Sequence, residues 1–263
     1  MQDKVIVITG ASSGIGAAIA EVIAARGGAK GVVLAARRQT ELAALAGRLA
    51  GNHLVVPTDV TVRAQINALR DRALAELGQI DVWIGNAGRG ITRSVTELTD
   101  ADLDDMMTVN VKSVLYGLQA VLPHWKDRKR GHLITVSSML GRISLAPMRS
   151  AYSAAKAAVS SLMASLRLEL RADYPAIHVS TVMPGVVATD FGSNALHGGP
   201  DSRVLPQAQP VGEVAAAIAD LIERPRAELY TRPELAQLAA RYFTADDVAA
   251  VEAGPPFTAM PRR

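Results

Sequence analysis

The chain has 263 residues, 49% of them hydrophobic and 4% aromatic, with 28 Lys and Arg against 25 Asp and Glu. This length holds one large α/β domain or two small ones, and the absence of cysteine excludes disulfides and thiolate metal sites. A net charge of +3 and a mean hydropathy of +0.17 give no grounds for a nucleic-acid partner, and no apolar run reaches membrane-spanning length. In chain order, Val5–Ile8 reads as a buried parallel strand, followed by a Gly-rich turn and a helix over Ala17–Arg26 that Gly27-Gly28 ends. Val32–Ala35 is the second strand, Thr40–Ala50 the second helix and His53–Val56 the third strand, stopped by Pro57. Thr61 is placed to cap a helix reaching Leu77, with Gly78 closing it. Val82–Ile84 is the fourth strand. Thr99 or Asp100 then caps a helical stretch running to Trp125, with a break expected near Pro123. His132–Val136 is the fifth strand, residues 151–172 a long helix, Ile177–Val182 the sixth strand and Val211–Ile222 an amphipathic helix. Ala227–Tyr230 is a seventh strand, Pro233–Val251 reads as helical, and Gly254–Arg263 is a Pro-rich tail.

Alternating β and α elements predict a parallel sheet with helices on both faces, a doubly wound Rossmann-type fold of about seven strands. No linker divides the chain, so residues 1–263 are expected to form a single nucleotide-binding domain. Residues 190–210 are its one long stretch of loop composition and a candidate substrate lid. Residues 231–263 are a helical C-terminal extension. The basic run Lys126-Asp-Arg-Lys-Arg130 is expected in a solvated loop between helix and strand. The five histidines (53, 124, 132, 178 and 197) lack ligand spacing, so no metal is expected. The first strand begins near Lys4, leaving no room for a signal peptide, and a soluble cytoplasmic protein is expected.

Two segments carry chemistry. Thr9-Gly-Ala-Ser-Ser-Gly-Ile-Gly16 lies between the first strand and the first helix. Glycines at 10, 14 and 16 allow close backbone approach, and the helix N-terminus behind them offers free N–H groups to a diphosphate. Hydroxyls of Ser12 and Ser13 add donors, and Ile15 completes the turn. At the end of the second strand the chain has Ala35-Ala36-Arg37-Arg38 and no acid. A carboxylate there would bind ribose hydroxyls and repel a 2′-phosphate, whereas a guanidinium takes that phosphate. NADP(H) is therefore expected over NAD(H), with Arg37 as main contact and Arg38 as a lesser one. The second segment is Ala151-Tyr-Ser-Ala-Ala-Lys-Ala-Ala-Val159. It is helical by composition, so Tyr152 and Lys156 share one face. A phenol and an ammonium about 4 Å apart at an effective dielectric near 20 interact by roughly 4 kcal/mol, which would lower the phenol by about three pKa units. A surface tyrosine resting on a lysine stem is the alternative for that pair taken alone.

Together these residues resemble the short-chain dehydrogenase/reductase family. The resemblance runs from Thr9–Gly16 through Asp59-Val60, Asn86-Ala87-Gly88, Asn110-Val111, Ser137-Ser138 and Tyr152-x-x-x-Lys156 to Pro184-Gly185 and Thr189, about the first 190 residues. It implies Tyr152 as general acid/base, Lys156 as the group that lowers its pKa and holds the nicotinamide ribose, and Ser138 as the hydrogen-bonding partner of the substrate oxygen. Asn110 would position a water on the proton path. Asp59 and Val60 would contact adenine, Asn86, Ala87 and Gly88 would line the cofactor, and Pro184, Gly185, Val187 and Thr189 would hold the nicotinamide. The implied activity is hydride transfer between NADP(H) and a carbonyl or secondary alcohol. The retained Tyr152, Lys156, Ser138 and Asn110 favour this over a non-catalytic NADP(H)-binding sensor or scaffold. Met139, Leu140, Leu145, Met148 and Met183 are expected on the pocket wall, suggesting an apolar ketone or aldehyde substrate. After the seventh strand the chain departs from many members, which finish with a short Gly-Gly element. Pairing through the long helices containing Asn110 and Tyr152 implies a homo-oligomer, a dimer at minimum.

Overall fold

In the computed structural model, which describes residues 1–257, short β-branched runs form strands buried on both faces. Val5–Thr9 (β1), Gly31–Ala36 (β2), His53–Pro57 (β3), Val82–Gly85 (β4), Gly131–Val136 (β5), Ile177–Met183 (β6) and Glu228–Tyr230 (β7) pair in parallel in the order β3-β2-β1-β4-β5-β6-β7. Successive side chains point to opposite faces of a strand. Val5, Val7, Val33 and Leu133 therefore enter one core, against helices Arg63–Leu77 (α3), Ser113–Arg128 (α5) and Ser150–Leu170 (α6). Ile6, Ile8, Val32, Leu34 and Ile134 enter the other, against Gly14–Arg26 (α1), Gln39–Ala46 (α2) and Val211–Glu223 (α7). Each fully buried Val, Ile or Leu stabilises the fold by about 1.5–3 kcal/mol relative to exposure, so the sheet is the frame on which everything else is hung. The result is one α/β Rossmann-type domain with a seven-stranded parallel sheet.

Several element ends differ from expectation for local reasons. The glycine turn itself supplies the first turn of α1, which starts at Gly14 rather than Ala17. α2 stops at Ala46, where Gly47 takes the cap, rather than at Ala50. Thr61 does not cap α3: its hydroxyl donates to the Asp59 carboxylate at 2.7 Å and Val62 is the N-cap residue. Thr99 does cap Asp100–Met107 (α4), in a capping box with Asp102. The stretch to α5 is not broken at Pro123, which lies inside α5; the interruption is a π-helical turn at Thr108–Lys112. The basic run is not all loop, since α5 continues to Arg128, whose Nη2 meets Asp81 at 3.1 Å. The expected single helix after β7 is two, Pro233–Phe243 (α8) and Val248–Glu252 (α9). Residues 258–263 of the Pro-rich tail lie outside the described residues. Among the described residues no helix is long and apolar enough to cross a membrane.

The seat of α5 on the sheet depends on one small residue. A Cβ on Gly117 would lie 2.6 Å from Nε1 of Trp83, a ring fully buried in β4. Gly117→Ala should therefore lower stability by about 1–3 kcal/mol despite its gain in helix propensity. The check is a urea titration, in which an unchanged or higher midpoint would contradict the packing argument.

Candidate functional site

The order β3-β2-β1-β4 reverses direction between β1 and β4, and open α/β sheets form their ligand crevice at the carboxyl ends of strands flanking such a point. The Gly-rich turn leaves β1 there. Gly10 and Gly14 adopt φ of 67° and 55°, conformations that L side chains rarely take. A Cβ on Gly10 would come within 2.9 Å of Ala87, and one on Gly16 would overlap the Gly10 carbonyl oxygen. Ser13, the N-cap residue of α1, makes no side-chain cap and no acid occupies the first turn, so the helix N-terminus keeps free donors for an anion. Ser12 and Ser13 instead accept hydrogen bonds from Arg38 Nη2, at 3.0 and 2.8 Å. Arg37 is exposed beside Asp59. Burial raises the Asp59 pKa, but the Thr61 hydrogen bonds and the Arg37 charge outweigh it and the net shift is downward. A nicotinamide dinucleotide fits this cradle, with a bare helix end for its diphosphate.

Across the crevice, Asn86 spends its amide on the turn, donating from Nδ2 to the carbonyls of Thr9 at 2.9 Å and Gly10 at 3.3 Å. It thus fixes the turn against β4. Ser138 ends the strand run of β5, where its Oγ accepts from the Leu140 amide at 3.1 Å and shares a hydrogen bond with Tyr152. Ser137 points the other way, to the Lys156 carbonyl at 3.0 Å and Ser160 at 3.1 Å. Asn110 sits fully buried in the π turn. Its Nδ2 donates to the carbonyls of Arg89 at 3.0 Å and Met106 at 3.2 Å, and its Oδ1 accepts from the Arg89 amide at 3.2 Å. A π turn inserts an extra residue, and this one turns the helix-disfavoured asparagine towards the end of β4. Gly88 marks the meeting point: a Cβ there would lie 2.9 Å from Asn110 Oδ1 and 3.4 Å from Lys156 Nζ.

Tyr152 and Lys156 are adjacent and buried, but the expected acidic phenol is not found. Burial raises the Tyr152 pKa to about 12, only partly offset by the Ser138 hydrogen bond and the Arg149 charge. The Lys156 ammonium has turned away. It lies 5.7 Å from the tyrosine ring centre and donates to the Val136 carbonyl at 2.9 Å, and burial lowers its own pKa to about 8. Desolvation disfavours both charged forms, and it is the largest cause of both shifts.

The remaining predicted residues divide. Pro184 accepts the Met139 amide at 2.8 Å, Thr189 packs 3.5 Å from the Cβ position of Gly14, Val187 is buried and bridges to Gln209, and Gly185 faces Leu235 of α8. These enclose the crevice from β6. Ile15 packs on one core and Val60 on the other, and the Ala87 amide donates to the Thr9 hydroxyl at 3.2 Å. The five wall residues do not form one surface. Met139 and Leu145 pack with Leu235 and Leu238 of α8, Leu140 leans on the first core, Met183 is fully buried beside Arg142, and Met148 is 45% exposed. Composition suggested a wall but carried no direction for its side chains.

Residues 4–198 match the family described as short chain dehydrogenase. The chain belongs to this family. A Staphylococcus saprophyticus relative described as an uncharacterized oxidoreductase is 38% identical over 198 residues, 74% of this chain and 82% of the relative. Among solved structures, a Burkholderia phymatum short-chain dehydrogenase/reductase in complex with NAD superposes with TM-score 0.82 at 27% identity, covering 92% of this chain and 93% of that one. A Burkholderia cenocepacia short-chain dehydrogenase in complex with NADP gives 0.80 at 27%, covering 96% and 97%. For a short-chain dehydrogenase the surroundings of Tyr152 then matter most, and two neighbours escaped the sequence reading. Phe191 tilts over the Tyr152 ring at 5.5 Å between centres. Arg149 lies one turn before Tyr152, a spacing visible in the sequence, whereas nothing local marks Phe191. Phe191 belongs to the segment after β6, which Ile91–Leu196 and Val187–Gln209 bridges and a 2.7 Å His197–Asp102 contact pin in place. The buried phenol gives a direct check. With ring-labelled tyrosine, the NMR resonance lost in Tyr152→Phe should not titrate below pH 10, and an ionisation near 7 would contradict the burial argument.

Proposed function

We propose that the protein is an NADP(H)-dependent oxidoreductase interconverting a carbonyl and a secondary alcohol, with a ketone or aldehyde of apolar character as substrate. The observation that carries this reading is the convergence of Ser138, Tyr152, Lys156 and Asn110 at the ends of β4 and β5, beside a turn that fits a diphosphate. The nicotinamide supplies or accepts the hydride when bound; the rest falls to the chain. Ser138 holds the carbonyl oxygen. Tyr152, protonated at neutral pH because burial raises it to about 12, gives its proton to that oxygen in reduction. Lys156 holds the ribose and stabilises the phenolate left behind, and Asn110 steadies a water on the path to solvent near Gly88. Gly10, Ser12, Ser13, Gly14, Ile15 and Gly16 hold the diphosphate, Asp59 and Val60 the adenine, and Asn86, Ala87, Gly88, Pro184, Gly185, Val187 and Thr189 the remainder. Arg37, which makes no ion pair among the described residues, is free to take a 2′-phosphate, with Arg38 beside it. Residues 190–210 act as a lid whose Phe191 covers Tyr152.

A screen of ketones and alcohols followed by nicotinamide absorbance tests the reading. NADPH should be preferred over NADH by about tenfold or more, since charged hydrogen bonds to the phosphate contribute about 1.5–3 kcal/mol each; a clear NADH preference would refute the cofactor assignment. Tyr152→Phe should keep NADPH binding and lower kcat/KM by about a hundredfold or more. NADPH binding with no turnover by the unaltered protein on any carbonyl would favour a sensor or scaffold instead.

The pH profile follows from Lys156, charged below its pKa of about 8 and neutral above it. Reduction should therefore decline as pH rises through about 8, and a profile flat to pH 10 would remove the ammonium from the mechanism. Leu103 of α4 and Leu162 and Leu168 of α6 are exposed at 43%, 41% and 69%, which supports pairing of two copies through these helices. Light scattering should give at least a dimer.

A further inference from the structure

Several arginines near the crevice have acidic partners: Arg89 with Asp105 at 3.5 Å, Arg93 with Asp102 at 3.5 Å, and Arg142 with Glu228. Arg149 has none among the described residues. Its one side-chain hydrogen bond among the described residues runs from Nη1 to the Ile91 carbonyl at 3.1 Å. A guanidinium carries five donors, so the rest of the fork is uncommitted. The group is nonetheless partly buried, with burial pulling its pKa down and the Tyr152 phenol acting in the opposite sense.

Its position ties it to the reacting end. Arg149 is three residues before Tyr152, a spacing that puts both on one side of the helix start. A Cβ on Gly90 would stand 3.0 Å from the Phe191 ring and 3.2 Å from Arg149 Nη1, and one on Gly199 would stand 3.0 Å from Nη2. Arg149, Phe191 and Tyr152 thus come together between residues 90–91 and the segment after β6. A hydroxyl pair, an aromatic face and an unpaired cation therefore lie close together there.

We propose that Arg149 is a specificity-determining residue that binds a carboxylate on the substrate, so that the carbonyl compound is an oxo acid with an apolar body. This rests on the carbonyl-reduction reading above. A carboxylate is planar and can take two parallel N–H donors from one guanidinium, which supplies the counter-charge that the fold withholds. A purely structural role, pinning residue 91 to the start of α6, would make the same hydrogen bond but would not distinguish charged from neutral substrates.

The test compares α-, β- and γ-keto acids bearing a phenyl group with their methyl esters, using NADPH and the full chain. The readout is the acid-to-ester ratio of kcat/KM, so a general loss of activity in a variant leaves it interpretable. The unaltered protein should favour at least one acid over its ester by about tenfold to a hundredfold, the range of one charge-assisted bidentate contact. Arg149→Met should bring that ratio to about one, and Arg149→Lys should retain part of it. Ratios near or below one for every pair in the unaltered protein, or a preference that survives in Arg149→Met, would overturn the proposal. If no carbonyl is turned over, the reduction reading itself has failed, and calorimetry with phenylbutyrate and phenylbutyramide decides the carboxylate site. Binding of the acid alone, lost in Arg149→Met, upholds it; equal binding or none overturns it.

Discussion

The ammonium of Lys156 is the group around which β5 and α6 are joined. It is only 4% exposed and rests on the Val136 carbonyl at 2.9 Å. The backbone of the same residue accepts from Ser137 and Ser160, both at 3.0 Å, and leaves no room for a side chain at Gly141, whose Cβ would lie 2.7 Å from it. Strand end, helix and the turn at Met139–Gly141 are therefore tied at a single position. Removing a cation from water costs several kcal/mol unless it is partnered. Here the one carbonyl is its partner, and burial lowers its pKa to about 8, which leaves it mostly protonated at neutral pH. A cation so held has little freedom, which is the property a positioning group needs.

The same burial decides what Tyr152 can do. A free phenol near 10 has been moved away from neutrality, to about 12. The resting group is thus a protonated phenol at neutral pH. The shift comes from desolvation and not from the residue four positions along.

The sheet, its parallel order and the strand ends that carry Gly10, Asn86, Ser138 and Pro184 were legible because they rest on alternation of short apolar runs with longer amphipathic ones. The Tyr152–Lys156 pairing was legible from helical spacing, but its electrostatics were not. Spacing fixes where two Cβ atoms lie, and a four-carbon stem let the charge swing to Val136. The π turn at Thr108–Lys112 has no local signature. Asn110 hinted at something unusual, yet only its bonds to Arg89 and Met106 explain why the helix widens there. Thr61 was read as a cap because caps are the common use of threonine before a helix; the Asp59 carboxylate two residues earlier took the hydroxyl instead. The methionine-rich wall dissolved for a related reason: residue type gives affinity for apolar surroundings without saying which apolar surroundings.

Cofactor and substrate ends of the crevice are built from different material. The former is sheet edge and helix end, clamped by Asn86. The latter is assembled from residues 90–93, the start of α6 and the segment after β6, which meet through the Ile91–Leu196 and Arg93–Arg149 bridges. The family match ends at residue 198, inside that segment. Beyond it, α8 contributes Leu235 against Gly185 and Leu238 against the Met139 cluster. The side chains against Gly185 and Met139 therefore come from a part of the chain that the family pattern does not cover. A rigid shared half can keep one hydride-transfer geometry while loops and a C-terminal helix vary around it, which is why the motifs identify the reaction class and stop short of the substrate.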